Sequence, residues 1–280
     1  MANDSGPILV PLDGSKNSER ALPHALRLAE LHEASLRIIH VADEGEVRDS
    51  SLTEASEVFA NYVRDLMEDG AGGIAYDSEL LLGTPAEMIV KAAAEARFIA
   101  IASHGRSGFH ATFVGSVADK VVRSSQAPVL FVPSVGDPTR PRYQRIVVAV
   151  DGSPEAEGGL AAARDLAARS GGEITLVQAY SVPSAVGFEF GAASYSANVF
   201  ETLEEASQSY VGQLAQEGET TMAVQSSASN AISTAAERTD ADLVVMTSHG
   251  KGLATRVALG STTDRVMHSL HRSLLIVPVE

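Results

Sequence analysis

The amino-acid sequence contains neither cysteine nor tryptophan. Without cysteine the chain has no disulfide, no thiolate metal ligand and no cysteine nucleophile, which is compatible with a reducing cytosol. Positive charge is also scarce, since 21 Lys and Arg residues face 36 Asp and Glu residues and the formal net charge is −15. That balance argues against sequence-independent binding of nucleic acid, which requires cations on the phosphates.

Long apolar runs are missing as well. None approaches the roughly 18 to 20 residues of a membrane-spanning helix. The opening stretch from Met1 to Pro7 shows neither the basic segment nor the apolar core of a signal peptide. We therefore expect a cytoplasmic protein with no membrane partner. Hydrophobic residues still make up 45% of the chain, which is ample for buried cores.

Short apolar runs alternate with segments of helical periodicity in the first half of the chain. Strands that alternate with helices form a parallel sheet with helices on both faces, so we predict an α/β fold. The predicted strands are 8–13, 35–41, 75–82, 98–102 and 128–132, and the predicted helices are 16–32, 53–67, a segment from 85, and 116–125.

The same pattern starts again after residue 144. Arg145 to Ser153 repeats the first strand and its Asp-Gly-Ser end with an offset of 138, and later motifs repeat with an offset of 145. We assign the seven extra residues to segment 181–198. The later offset places Ala228-Ser229-Asn230 opposite Gly83-Thr84-Pro85. A repeat of this length indicates duplicated domains. We predict two domains and a proline-containing linker: 1–133, then the linker 134–144, then 145–280.

A glycine loop follows the fourth predicted strand of each half. Nine residues separate Gly105 from Gly115-Ser116, and nine separate Gly250 from Gly260-Ser261. A glycine turn that leads to a Gly-Ser helix start presents bare backbone N–H groups and a hydroxyl, and the helix dipole favours an anion there. The two loops therefore predict phosphate binding.

Ordinary local structure also accounts for these motifs. Ser116 with Asp119, and Ser261 with Asp264, have the spacing of capping boxes, which stabilise a helix start without any ligand. Asp-Gly-Ser after the first strand, taken alone, is more typical of a turn followed by an N-cap. Both interpretations stay open at this point.

The side chains beside the loop glycines differ in what they predict. Arg106 and Lys251 are placed to meet a phosphate, whereas we expect His104 and His249 to bond nearby backbone. The chain has no Walker sequence, no Gly-x-Gly-x-x-Gly after the first strand, no Gly-x-Ser-x-Gly elbow and no zinc-like histidine spacing. We expect no catalytic residue and no resident metal.

Taken together, these residues resemble the tandem-domain form of the universal stress protein family. ATP-binding members share the motif Gly-x2-Gly-x9-Gly-Ser/Thr, an aspartate that ends the first strand, and a closing Pro-Val-x-x-Val-Pro strand. Here the motif lies at 102–116 with Asp13, and again at 247–261 with Asp151. The resemblance implies a five-stranded parallel sheet of order 3-2-1-4-5 in each half. It also implies that the two fifth strands pair antiparallel, as an internal pseudo-dimer.

The motifs and the resemblance together define the candidate nucleotide contacts. Ala102 and Thr247 replace the first motif glycine, and a threonine there can crowd a nucleotide. We therefore expect unequal sites, with the first the stronger. The candidates are Asp13, Val41, Ala102, Gly105, Arg106, Gly115, Ser116 and Val117 in the first half, and Asp151, Ala179, Thr247, Gly250, Lys251, Gly260, Ser261 and Thr262 in the second.

The function expected from this resemblance is ATP binding by a stress-response protein that is regulatory rather than catalytic. Mg²⁺ would arrive with the nucleotide, and a homodimer and an unidentified protein partner are expected. Two alternatives stay open. One is a scaffold that binds no nucleotide, and the other is slow ATP hydrolysis on the same fold.

Overall fold

A computed structural model describes residues 5–43, 51–68, 70, 72–103, 114–135, 141–181, 197–249 and 259–279. Within these residues strands and helices alternate in the predicted order. The strands are β1 (Ile8–Pro11), β2 (Leu36–Ala42), β3 (Tyr76–Leu82), β4 (Phe98–Ala102), β5 (Val129–Val132), β6 (Arg145–Ala149), β7 (Glu173–Tyr180), β8 (Thr220–Gln225), β9 (Leu243–Thr247) and β10 (Ser273–Val277).

The helices follow ordinary capping chemistry. Ser153 is the N-cap of α6 and accepts the N–H of Ala156, and Gly171 ends that helix in the left-handed region at φ 68°. The single helix that the sequence predicts over 16–32 is two helices that meet at Arg20. The helices are α1 (Lys16–Glu19), α2 (Ala21–His32), α3 (Leu52–Glu68), α4 (Pro85–Ala92), α5 (Ser116–Ser124), α6 (Pro154–Ser170), α7 (Ala197–Leu214), α8 (Ala228–Arg238) and α9 (Ser261–Ser269).

The ten strands form one sheet of order β3-β2-β1-β4-β5-β10-β9-β6-β7-β8. Neighbours within each half are parallel and follow the order 3-2-1-4-5, which confirms the predicted α/β fold. The halves join where β5 and β10 pair antiparallel, with Leu130 opposite Leu275. This pairing confirms the expectation for the fifth strands and covers two strand edges. The domain boundaries at 133 and 145 stay a prediction.

Two apolar layers sandwich this sheet. One contains buried residues of α2, α3, α6 and α7, and the other contains buried residues of α4, α5, α8 and α9. Both halves contribute to both layers, so each layer continues across the junction. The carboxyl ends of β1, β2 and β4, and of β6, β7 and β9, are thereby held at the edges where open α/β sheets bind ligands.

The extra residues of the second half lie partly elsewhere than predicted. Leu81 and Val224 occupy equivalent positions beside Val41 and Ala179, and they are 143 apart. Five of the seven residues therefore precede β8, and two lie between α8 and β9. The helix starts have the same offset of 143, because α4 begins after N-cap Thr84 and α8 begins after N-cap Ser227. Gly83-Thr84-Pro85 thus corresponds to 226–228, so its assignment to 228–230 was wrong.

A buried polar cluster ties the two halves together. His24 on α2 is 5% exposed, and its Nδ1 lies 2.8 Å from the hydroxyl oxygen of Tyr143 in the predicted linker. Its Nε2 lies 3.4 Å from Oγ of Ser273 on β10. On the surface, Arg123 of α5 donates to Asp264 of α9 at 2.5 Å. The junction therefore combines strand pairing with specific side-chain contacts.

Candidate functional site

The first cleft lies at the carboxyl edge of the first half of the sheet and has a volume of about 340 Å³. It brings together every first-half candidate that the structure describes: Asp13, Val41, Ala102, Gly115, Ser116 and Val117. Gly105 and Arg106 lie outside the described residues, as does His104. The volume is at the lower end of the range typical of small-molecule sites, about 300 to 1,000 Å³.

The second cleft occupies the equivalent edge of the second half and has a volume of about 150 Å³. It likewise brings together every described second-half candidate: Asp151, Ala179, Thr247, Gly260, Ser261 and Thr262. Gly250 and Lys251 lie outside the described residues. The volume is about half the lower limit typical of ligand sites.

The aspartates occupy matching turns after β1 and β6. Asp13 Oδ1 accepts the N–H of Ser15 at 3.0 Å and its hydroxyl at 2.6 Å. Asp151 Oδ1 accepts the same two groups of Ser153 at 3.0 and 2.5 Å. Each serine in turn caps the following helix. The turn-and-cap interpretation is therefore correct for the serines, while the aspartates also face the clefts.

The capping-box interpretation of the glycine loops is wrong. Gly115 and Gly260, not the serines, are the N-caps of α5 and α9, and neither helix has a side-chain cap. Ser116 is consequently the first helical residue, one position too late to act as a cap. Asp119, the expected partner in the capping box, instead accepts the Nε–H of Arg123 with both carboxylate oxygens, each at 2.9 Å.

The uncapped helix starts give both clefts a surface suited to an anion. Gly115 N–H donates to Ser103 O at 2.7 Å, and Gly260 N–H donates to Ser248 O at 2.9 Å, so each glycine fastens its loop to the preceding strand. The N–H groups of the next three residues have no acceptor within an α-helix. In the first half these residues are 116–118, and all three line the cleft. Partial positive charge therefore points into the space.

Several residues of the first cleft were not predicted from the sequence. His40 lines it, and its Nδ1 lies 2.7 Å from Leu12 O, which fixes the N–H on Nδ1 because a carbonyl only accepts. Pro85 and Ile89 of α4 and Asp43 after β2 also line it. Pro85 was visible as a helix start, but no local signal links that start to the cleft. The connection arises only when α4 packs beside β2.

Thr247 lines the second cleft. Its hydroxyl donates to His249 O at 2.7 Å. Its methyl lies against Gly159 of α6, where an added Cβ would be 3.3 Å away. The equivalent residues of the first half are Ala102 and Ala21. The second half therefore has a larger residue on the strand, Thr247, and a smaller one on the helix, Gly159. Thr247 is therefore accommodated mainly by α6.

His249 lies in the second cleft with an unsatisfied nitrogen. Its Nδ1 is 3.0 Å from Ser248 Oγ, whereas Nε2 is buried and has no hydrogen-bond partner in the described part of the chain. Burial lowers the pKa of this imidazole. The expected bond to nearby backbone is thus replaced by one to a neighbouring hydroxyl.

The described residues hold no group of three or more His, Cys, Asp or Glu suited to a metal ion. Among the helices of the same residues, none combines the length and apolarity needed to cross a bilayer.

Comparison with known proteins gives one consistent result. The model of the universal stress protein family matches residues 5–133 and again 142–278. A universal stress protein of Mycobacterium bovis is 27% identical over 297 residues, covering 96% of each chain. One from Methanocaldococcus jannaschii is 31% identical over 138 residues, covering 45% of this chain and 80% of its own.

The fold agrees with that result. The crystal structure of a universal stress protein from Archaeoglobus fulgidus superposes with a TM-score of 0.72 at 22% identity, covering 99% of both chains. Because the family model matches nearly the whole chain in two copies, the protein belongs to the universal stress protein family.

Proposed function

We propose that this protein binds an adenine nucleotide, ATP in particular, in the first cleft, and that nucleotide occupancy regulates its interactions. One observation carries the proposal. The helix start at 116–118 and the Asp13 carboxylate both line one 340 Å³ cleft at the carboxyl edge of the sheet. A polyphosphate suits the first of these groups and sugar hydroxyls suit the second.

The remaining lining suits a nucleoside. Val41 of β2 and Pro85 and Ile89 of α4 supply apolar surface, and Leu12, directly after β1, adds to it. A flat aromatic base gains by leaving water for such surface. We propose that Mg²⁺ enters as the counter-ion of the phosphates. The homodimer, the protein partner and the cytoplasmic location stay predictions.

The proposal is tested by placing a negative charge at the helix start. Ser116→Glu introduces a carboxylate at an exposed position where the helix dipole favours it, so α5 should remain folded. The same carboxylate should repel a phosphate, and we expect ATP affinity to fall at least tenfold. Ser124→Glu adds the same charge at the exposed far end of α5 and serves as the matched control.

Calorimetric titration of ATP into the two variants and the wild type gives the measurement, with circular dichroism as the check on folding. Equal affinity of all three proteins would show that the phosphates lie elsewhere. A folded wild type that binds no ATP at millimolar concentration would refute the proposal and favour the scaffold alternative.

A further inference from the structure

The two clefts share their polar framework. Asp13 and Asp151 form the same turn, with Oδ1 3.0 Å from the serine N–H in each case. Helices α5 and α9 both begin after a glycine N-cap whose N–H donates to a serine carbonyl, and neither has a side-chain cap. Among the described residues, we therefore look for a difference in ligand binding in the rest of the lining.

Two residues on the nucleoside side of the second cleft are smaller than their counterparts in the first. Val41 on β2 corresponds to Ala179 on β7, and Pro85 at the start of α4 corresponds to Ala228 at the start of α8. Both members of each pair line their clefts. Each buried methylene is worth roughly a fourfold change in affinity, so the loss of contact on this wall lowers nucleoside binding at least tenfold.

On the phosphate side of the second cleft a hydroxyl links the helix to the strand. Thr263, 2% exposed, donates from Oγ1 to Thr247 O at 3.0 Å and thus ties the first turn of α9 to the end of β9. The equivalent residue in α5 is Ala118, which has no hydroxyl to make such a bond. Thr263 lines the second cleft, of about 150 Å³, and Ala118 lines the first, of about 340 Å³.

We infer that one polypeptide binds one nucleotide, in the first cleft, and that Ala179, Ala228 and Thr263 prevent the second cleft from taking another. This inference rests on the proposed function. It makes the two halves unequal through the residues that line the clefts rather than through loss of the aspartate or of the glycine-serine helix start, since Asp151, Gly260 and Ser261 all line the second cleft.

The test counts bound nucleotides. Equilibrium dialysis with radiolabelled ATP, carried through a range of concentrations around the dissociation constant, should give one site of wild-type affinity per wild-type chain and no site of that affinity in Ser116→Glu. The triple variant Ala179→Val, Ala228→Pro, Thr263→Ala rebuilds the second wall after the pattern of the first. Proline suits the first position of a helix and valine suits a strand, so the variant is expected to fold and to bind two.

The possible outcomes separate the inference from the proposed function. Two nucleotides per wild-type chain, or one retained by Ser116→Glu, would overturn the inference and leave nucleotide binding in place. No nucleotide on a folded wild type would defeat the proposed function itself. If the triple variant does not fold, Val41→Ala alone serves: it should weaken the single wild-type site several-fold, and unchanged affinity would overturn the role given to this wall.

Discussion

Mild acid should weaken the junction between the halves through one buried histidine. His24 has both ring nitrogens near hydroxyls, Tyr143 on one side and Ser273 on the other. Burial, and secondly the charge of Arg20, lower the pKa of His24 from the ordinary 6.5 to about 4. Since the neutral imidazole is the form that fits this site, protonation opposes the folded state.

The magnitude follows from the two pKa values. The unfolded chain binds the proton near pH 6.5 and the folded chain only near pH 4, so the contribution of His24 is complete above about pH 6.5 and declines as the pH falls. With each pKa unit worth about 1.36 kcal/mol, the loss is about 2 kcal/mol at pH 5 and about 3 kcal/mol at pH 4.

Urea unfolding at pH 7.5 and at pH 5.0 measures this loss. Other groups titrate over the same range, so the decisive quantity is the difference in unfolding free energy between the wild type and His24→Gln. That difference should shrink by about 2 kcal/mol at the lower pH. If the difference between wild type and His24→Gln is the same at both pH values, the reasoning about His24 is refuted.

Three further predictions concern stability and are measured by urea unfolding. Gly158→Ala should stabilise the protein by about 1 kcal/mol, because the added Cβ has nothing within 4 Å. The neighbouring Gly159→Ala should stabilise the protein only when Thr247 is also replaced by alanine; additive effects of the two substitutions would contradict the contact between Gly159 and Thr247. Ser153→Ala should cost about 1 kcal/mol by removing the N-cap of α6, and a cost near zero would show that the cap is dispensable. Tyr143→Phe should cost about 1 to 3 kcal/mol because it leaves a buried imidazole nitrogen without its partner, and a stabilising effect would contradict this account.

The fold was predictable because its signal is local. Buried parallel strands are short, nearly continuous apolar runs, and the runs at Phe98 and Leu243 showed where β4 and β9 would lie. The aspartates and glycine-serine starts marked the same edge of the sheet, since parallel strands place their carboxyl ends together. The grouping of the described candidates around two clefts follows from that topology.

The details that failed are those that depend on one residue of register or on distant contacts. A capping box and a helix that begins at Ser116 differ by a single position, which composition does not fix. His24 and Tyr143 are 119 residues apart, and His24 and Ser273 are 249 apart, so no local pattern joins them. The fit of Thr247 against Gly159 is also visible only once α6 packs on β9.

The antiparallel pairing of β5 with β10 has a consequence for how such a protein can change. When two separate copies of one domain assemble, a single sequence must serve both places, and any change to one cleft appears in the other. Here the two places are encoded separately, and the covalent link keeps each partner at high effective concentration. The second half can therefore lose ligand binding and still cover the strand edge of the first half. In a fused chain, one of the two domains can thus keep only a structural role.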